Sequence, residues 1–219
     1  MDPGAGARRA YRAAGSLPRR GDACGRLWAA ARGGFGLAVE DVAFLERTLH
    51  VVRQIKMVRG RLVFALPKGR KTRDVPLPET VTAELAAHIA AFPPQAIALP
   101  WETPDGEPIT VSLLLSSEQG KAVRRNHFGE YVWAPALEAA GIEPSRANGM
   151  HALRHFYASV LLDAGESIKA LSEYLGHSDP GFTLRTYTHL MPSSEQRTRQ
   201  AVNQALSEHD GLSTAHEAD

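Results

Sequence analysis

Apolar and polar positions alternate along residues 48–77, and the alternation predicts strands over His50–Met57, Arg61–Leu66 and Thr72–Leu77. Val58-Arg59-Gly60 and Pro67–Lys71 are the turns between them. Pro78 and Glu79 then open a helix to about Ala91, since proline is tolerated where an amide has no partner in any case. Residues 93–110 hold five prolines and an Asp105-Gly106 turn, which predicts a loop, followed by a short apolar strand at Ile109–Leu115. The period then lengthens to that of a helix. One helix is expected from about Asn126 to Ala140, kinked at Pro135 and stopped by Gly141. A second is capped by Asn148 and runs to Ala164 before Gly165. A third is capped by Ser167 and ends at Leu175 before Gly176. A last helix is expected over Ser193–Leu206, with a disordered polar tail at 208–219.

A small antiparallel sheet followed by helices predicts an α+β fold, mostly helical, with a three-stranded antiparallel sheet beside the helical part. At 219 residues the chain suffices for one fair-sized domain, or for one domain plus an appendage. Cys24 is the one cysteine, which excludes an internal disulfide and any multi-cysteine metal site. No apolar run approaches a bilayer span, nothing argues for export, and the cytoplasm is the expected location.

Residues 1–36 depart from this grammar. Ala, Gly and Arg supply 24 of the 36, and apolar positions show no sustained period. Seven Arg against Asp2 and Asp22 give this segment +5, whereas 18 Lys and Arg against 22 Asp and Glu give the remainder −4. Disorder is the default reading of such a segment. Its composition also resembles GC-rich DNA read out of frame. Beyond it, basic residues concentrate in one place: eight Lys and Arg lie between Arg53 and Arg73 with no acid among them. That stretch reads either as a solvated charged ribbon or as a surface facing phosphates.

The candidate chemistry lies in Met150-His-Ala-Leu-Arg-His155, Leu175-Gly-His177 and Tyr187. On a helix over 150–164, Leu153, Phe156, Tyr157, Val160 and Leu161 share one arc, the expected core stripe. His151, Arg154 and His155 share the opposite side. A guanidinium fork there could hold two phosphate oxygens while opposing developing negative charge. His177 follows a helix end, where a histidine also serves simply as a favourable partner for the helix dipole. The histidines at i, i+4 raise a metal reading, but the helix lacks the Glu of H-E-x-x-H and places Arg154 beside a ligand position. Each feature alone has an ordinary structural explanation. Their order and spacing are specific together.

The segment 151–189 resembles the signature of the tyrosine recombinases, the phage-integrase family. Lys68-Gly-Arg-Lys-Thr-Arg-Asp-Val-Pro-Leu resembles that family's β-hairpin, and the resemblance extends over residues 37–207, the expected catalytic domain. It implies site-specific DNA recombination and integration, in which Tyr187 attacks double-stranded DNA and forms a 3′-phosphotyrosyl link. It further implies that Arg154 stabilises the transition state, His151 assists proton transfer and His177 hydrogen-bonds a non-bridging oxygen. Lys68, or else Lys71, would protonate the departing 5′-oxygen. No cofactor and no metal are implied, and the family acts as a homo-oligomer, a tetramer on DNA. Type IB topoisomerase-like nicking and a non-catalytic DNA- or partner-binding module remain as alternatives.

The resemblance fails near the N-terminus. The family's second catalytic arginine lies in a box reading roughly Gly-Leu-Arg-x-Gly-Glu-x-x-Gly-Leu. Here only its end survives, at Gly36-Leu37, and Leu27-Trp-Ala-Ala-Ala-Arg-Gly-Gly34 stands in place of the rest. Back-translated as CTG TGG GCT GCG GCA AGG GGA GGC and read one base later, these residues give Cys-Gly-Leu-Arg-Gln-Gly-Glu. A shifted frame over residues 1 to about 34 is therefore expected, with Arg32 the only nearby substitute guanidinium. The family's N-terminal DNA-clamping domain is not recognisable either. Weak or no recombinase activity follows as the expectation.

Overall fold

The computed structural model describes residues 34–188, 195, 198–200 and 202–206. The expectations for residues 1–33, Arg32 among them, for Ser193 and for the tail at 208–219 lie outside the described residues. Among the described residues, no helix is long and apolar enough to cross a membrane. Residues 198–200 and 202–206 are helical, within the last helix expected.

The fold is α+β, with helices beside small antiparallel sheets. A three-stranded sheet joins β1 (Val42–Ala43), β2 (Thr48–Val51) and β5 (Arg73–Pro76) in the order β1-β2-β5. β3 (Gln54–Val58) and β4 (Arg61–Ala65) form a separate hairpin. Its turn is the pair Arg59-Gly60, both at positive φ (47° and 78°), the twist that suits a two-residue hairpin. The three strands expected to form one sheet are thus divided between two. The expected strand His50–Met57 breaks at Val52-Arg53. Leu49 and Val51 are buried against Val75, Leu77 and Leu85, while Ile55 packs on the other clusters. Arg53 occupies the next inward position and turns to Asp41, donating to its carboxylate at 2.8 Å. A cation there ends one sheet and lets the chain begin another. Asp41 also accepts from Ala38 N–H at 2.9 Å, and burial pushes its carboxyl above the ordinary range.

The expected loop at 93–110 contains a further hairpin, β6 (Gln95–Pro100) with β7 (Pro108–Leu113). Pro100 and Pro108 face each other as the last pair before the turn, where a missing amide interrupts little of the ladder. Gly106 in that turn is irreplaceable: a Cβ would lie 2.0 Å from the Trp101 carbonyl oxygen.

The helices are α1 (Glu79–Ala91), α2 (Arg125–Phe128), α3 (Ala134–Ala139), α4 (His151–Asp163), α5 (Ile168–Leu175) and α6 (Pro180–Tyr187). A π-helical stretch, Gly129–Trp133, joins α2 to α3. It ends two residues before Pro135, which can donate no bond back along the helix, so the wider turn lies where a kink was expected. Gly141, Gly165 and Gly176 sit at φ +71°, +89° and +67°. Each closes its helix with the paired bonds of a Schellman motif; after α5 these are Gly176 N–H to Glu173 O and His177 N–H to Ser172 O, both 2.9 Å. Tyr157 packs against three of the four core clusters at once, joining the sheet side to the α5–α6 side.

Candidate active site

α4 carries the candidate arginine, and its buried surface matches the expected stripe only in part and extends to the side opposite it. Ala152, Leu153, Ala158 and Leu162 are buried, whereas Val160 is 48% exposed and Phe156 and Tyr157 are half-buried. Arg154 is itself buried, at 3% exposure. The reason is that α5 and α6 cover the side of α4 opposite the sheets, through Ala158, Leu162, Leu171, Leu175 and Tyr187. A buried guanidinium needs acceptors, and α5 provides one at its negative end. Arg154 Nη2 donates to Leu175 O at 2.5 Å and to His177 Nε2 at 2.8 Å. Asn148 does not cap this helix; Met150 is the cap residue, and the Asn148 amide donates to Glu143 O at 3.0 Å instead.

His177 is aimed by the way α5 begins and ends. Ser167 Oγ accepts from Ala170 N–H at 3.1 Å, as its cap position predicts. The left-handed Gly176 then reverses the chain and turns His177 back towards α4. A side chain at Gly176 would meet Arg73: a Cβ would stand 2.9 Å from Arg73 Nη1. Arg73 reaches across from β5 and donates through Nε to Tyr174 O at 2.9 Å, which ties the end of α5 to the sheet.

α6 starts earlier than the expected loop Ser178–Gly181 allows. Asp179 caps it, accepting from Gly181 N–H at 2.8 Å and Phe182 N–H at 3.0 Å, and Pro180 fills the first turn. The Gly181 hydrogen bond, with Arg185 beside it, holds the Asp179 carboxyl below the usual range. Tyr187 ends the helix at 2% exposure, packed among Leu162, Leu171 and Leu175. Its ring centroid lies 5.5 Å from that of His155, which in turn lies 4.9 Å from that of His151.

Arg154, His177 and Tyr187 are therefore drawn together where α4, α5 and α6 meet. His151 stands at the exposed start of α4 and connects to them through His155. Lys68 and Lys71 are both exposed, in the loop between β4 and β5. Three participants had no assigned role in the sequence: His155 between His151 and Tyr187, Thr183 at 2.7 Å from His177 Nδ1, and Arg73 behind the α5 terminus. Only His155 carried a signal, as the i+4 partner of His151.

Comparison with known proteins bears on the family and the fold. The chain is 29% identical over 158 residues to the tyrosine recombinase XerD of Staphylococcus epidermidis, which covers 72% of this chain and 47% of that protein. It is 26% identical over 178 residues to a XerC-like tyrosine recombinase of Caldanaerobacter subterraneus, covering 77% and 44% respectively. The chain thus spans about half the length of the curated relatives it matches. Among solved structures, the fold is similar to the catalytic domain of bacteriophage HP1 integrase, with a TM-score of 0.54 and 20% identity over 90% of this chain and 91% of that one. It is also similar to the Tn1549 transposon integrase in complex with transposon right-end DNA, with a TM-score of 0.64 and 18% identity over 85% and 58%. The profile of the Phage integrase family matches residues 34–194, three-quarters of the sequence, and the chain belongs to that family.

Proposed function

We propose that this chain acts on double-stranded DNA as a site-specific recombinase catalytic domain, cutting and rejoining strands through Tyr187. The observation that carries the reading is the buried Arg154 paired with His177 at 2.8 Å, on helices packed against Tyr187. In the proposed step Tyr187 Oη attacks phosphorus, a 3′-phosphotyrosyl bond forms, and the bond to the 5′-oxygen breaks. The phenolic proton leaves with help from His151, and Lys68, or Lys71 beside it, protonates the 5′-oxygen. The phosphodiester energy is conserved in the phosphotyrosine, so the reverse attack rejoins a strand without a nucleotide. Arg154 and His177 stabilise charge on the non-bridging oxygens, a role suited to preorganised donors. The Tn1549 integrase and XerH structures, both with DNA, support a duplex substrate.

Two features set the level of activity. Residues 27–34 lack the arginine and glutamate of the family's other catalytic box, and loss of one preorganised donor lowers a rate by ~10²–10³. Tyr187 is also enclosed, at 2% exposure, so its hydroxyl must be uncovered before it reaches a phosphate. That enclosure favours one second reading, duplex binding without cleavage. A nicked duplex carrying a sequence that the chain binds, selected from random duplexes, separates the two. A covalent adduct on a denaturing gel, absent from Tyr187→Phe, supports cleavage. Salt-sensitive binding with no adduct selects the second reading. An adduct formed only after Gly-Leu-Arg-Gln-Gly-Glu is restored ahead of Phe35 assigns the impairment to the altered box.

A further inference from the structure

His177 is held on every side. Its N–H donates to Ser172 O at 2.9 Å, and its ring meets the half-exposed Phe182 ring edge-on, with centroids 4.8 Å apart. Ring Nε2 lies 2.8 Å from Arg154 Nη2, and ring Nδ1 lies 2.7 Å from Thr183 Oγ1. A guanidinium has donors and no acceptor, so the nitrogen facing it is the bare one. A neutral imidazole then carries its single proton on the other nitrogen, and Nδ1–H donates to the Thr183 hydroxyl. Thr183 is 0% exposed. Valine would fill the same shape there, but it could accept no hydrogen bond.

We propose that Thr183 is a positioning residue, whose buried hydroxyl fixes His177 in the Nδ1–H tautomer and so keeps Nε2 on the Arg154 side. The proposal rests on the reading of Arg154 and His177 as the phosphate-binding pair. It explains how one ring serves two states. At rest Nε2 accepts from Arg154, and the pair is stapled to Leu175 O. With a phosphate present, His177 donates from Nε2 only after gaining a proton there. The Nδ1–H bond to Thr183 is common to both states, so the ring keeps its orientation while Nε2 changes from acceptor to donor. Without the hydroxyl, Nδ1–H loses its buried acceptor, and the alternative tautomer sets an N–H against the guanidinium.

The test uses the full chain labelled with ¹⁵N-histidine, with long-range ¹H–¹⁵N spectra recorded above the imidazole titration. His177 is assigned by the signals missing from His177→Gln. The expected result is an Nδ1-protonated ring in the native protein and in Thr183→Ser, with Nε2-protonated ring appearing in Thr183→Val. A native spectrum showing Nε2–H overturns the proposal whether or not the valine variant folds. So does a folded Thr183→Val with the native pattern. Because this readout needs no cleavage, it stands apart from the fate of the recombinase reading. If the chain forms adducts with the nicked duplex, Thr183→Val slows them about 10-fold, as for hydrogen bonds that orient metal-binding imidazoles. Thr183→Ser restores the rate, and in a His177→Gln background the valine changes nothing. Equal slowing in both backgrounds would make Thr183 a packing residue and sink the assignment.

Discussion

Replacing Gly176 with alanine perturbs two things that can be separated. The residue sits at φ +67°, where an L side chain costs about 1–2 kcal/mol. Its new Cβ would also stand 2.9 Å from Arg73 Nη1 and 3.0 Å from Arg73 Cζ. Those atoms can move, but only by giving up the 2.9 Å bond from Arg73 Nε to Tyr174 O. A half-buried hydrogen bond to a charged donor contributes about 1.5–3 kcal/mol. The two effects together predict about 2.5–5 kcal/mol of destabilisation for Gly176→Ala. In an Arg73→Met background only the backbone strain remains, and the same substitution should cost about 1–2 kcal/mol. Urea unfolding of the four proteins, followed by circular dichroism, measures the difference as a coupling energy. If Gly176→Ala costs the same in both backgrounds, Arg73 does not brace the end of α5, and the reasoning is wrong.

Three further outcomes follow from the same elements. Ser167→Ala removes the cap of α5 and should destabilise the protein by about 1 kcal/mol, measured by the same unfolding curves. Burial, with Tyr174 and Glu166 nearby, pushes the Tyr157 phenol from 10.0 to about 12. This raised value makes its contribution to stability complete below pH 10 and lost as pH rises towards about 12. A difference-absorbance titration in which no phenol ionises that late would refute the burial argument. The lowered Asp179 carboxyl has the opposite sign: its contribution is present above the unfolded value of 3.8 and disappears as acid titrates the folded group. Amide protection factors in α6, taken relative to the intrinsic exchange rate at each pH, should therefore fall in acid, and Asp179→Asn should flatten that dependence.

The helix ends were legible because they are local. Gly141, Gly165 and Gly176 each satisfy their helix's last carbonyls within a few residues, so the glycine alone announces the stop. The same holds for Ser167 and for the Arg59-Gly60 turn. The sheets were less legible, because apolar alternation continues through Leu49, Val51, Ile55 and Met57 and hides the break between them. Arg53, an inward cation, was the available sign. β6 was obscured by the prolines that bound it. At the site, the order of His151, Arg154, His177 and Tyr187 could be read directly, but the burial of Arg154 could not. Burial on that side depends on α5 and α6 folding over α4, and helical periodicity records only that one stripe is apolar. Asn148 shows the converse, a good capping residue drawn off by the Glu143 carbonyl. Thr183 gave no sign because its partner comes from the preceding loop.

The bond from Arg73 to Tyr174 spans 101 residues of chain. At about 5–20 residues per second, a ribosome needs roughly 5–20 s to make that stretch. Throughout this interval β5 has emerged without α5, and α4 follows only shortly before. The guanidinium pocket is therefore among the last parts of the chain to close during synthesis. Any mutation that slows docking of α5 lengthens the time for which the apolar faces of α4 and the sheet stand uncovered. For this fold, the closure of the Arg154 pocket and the risk of aggregation during translation are set by the same late contact.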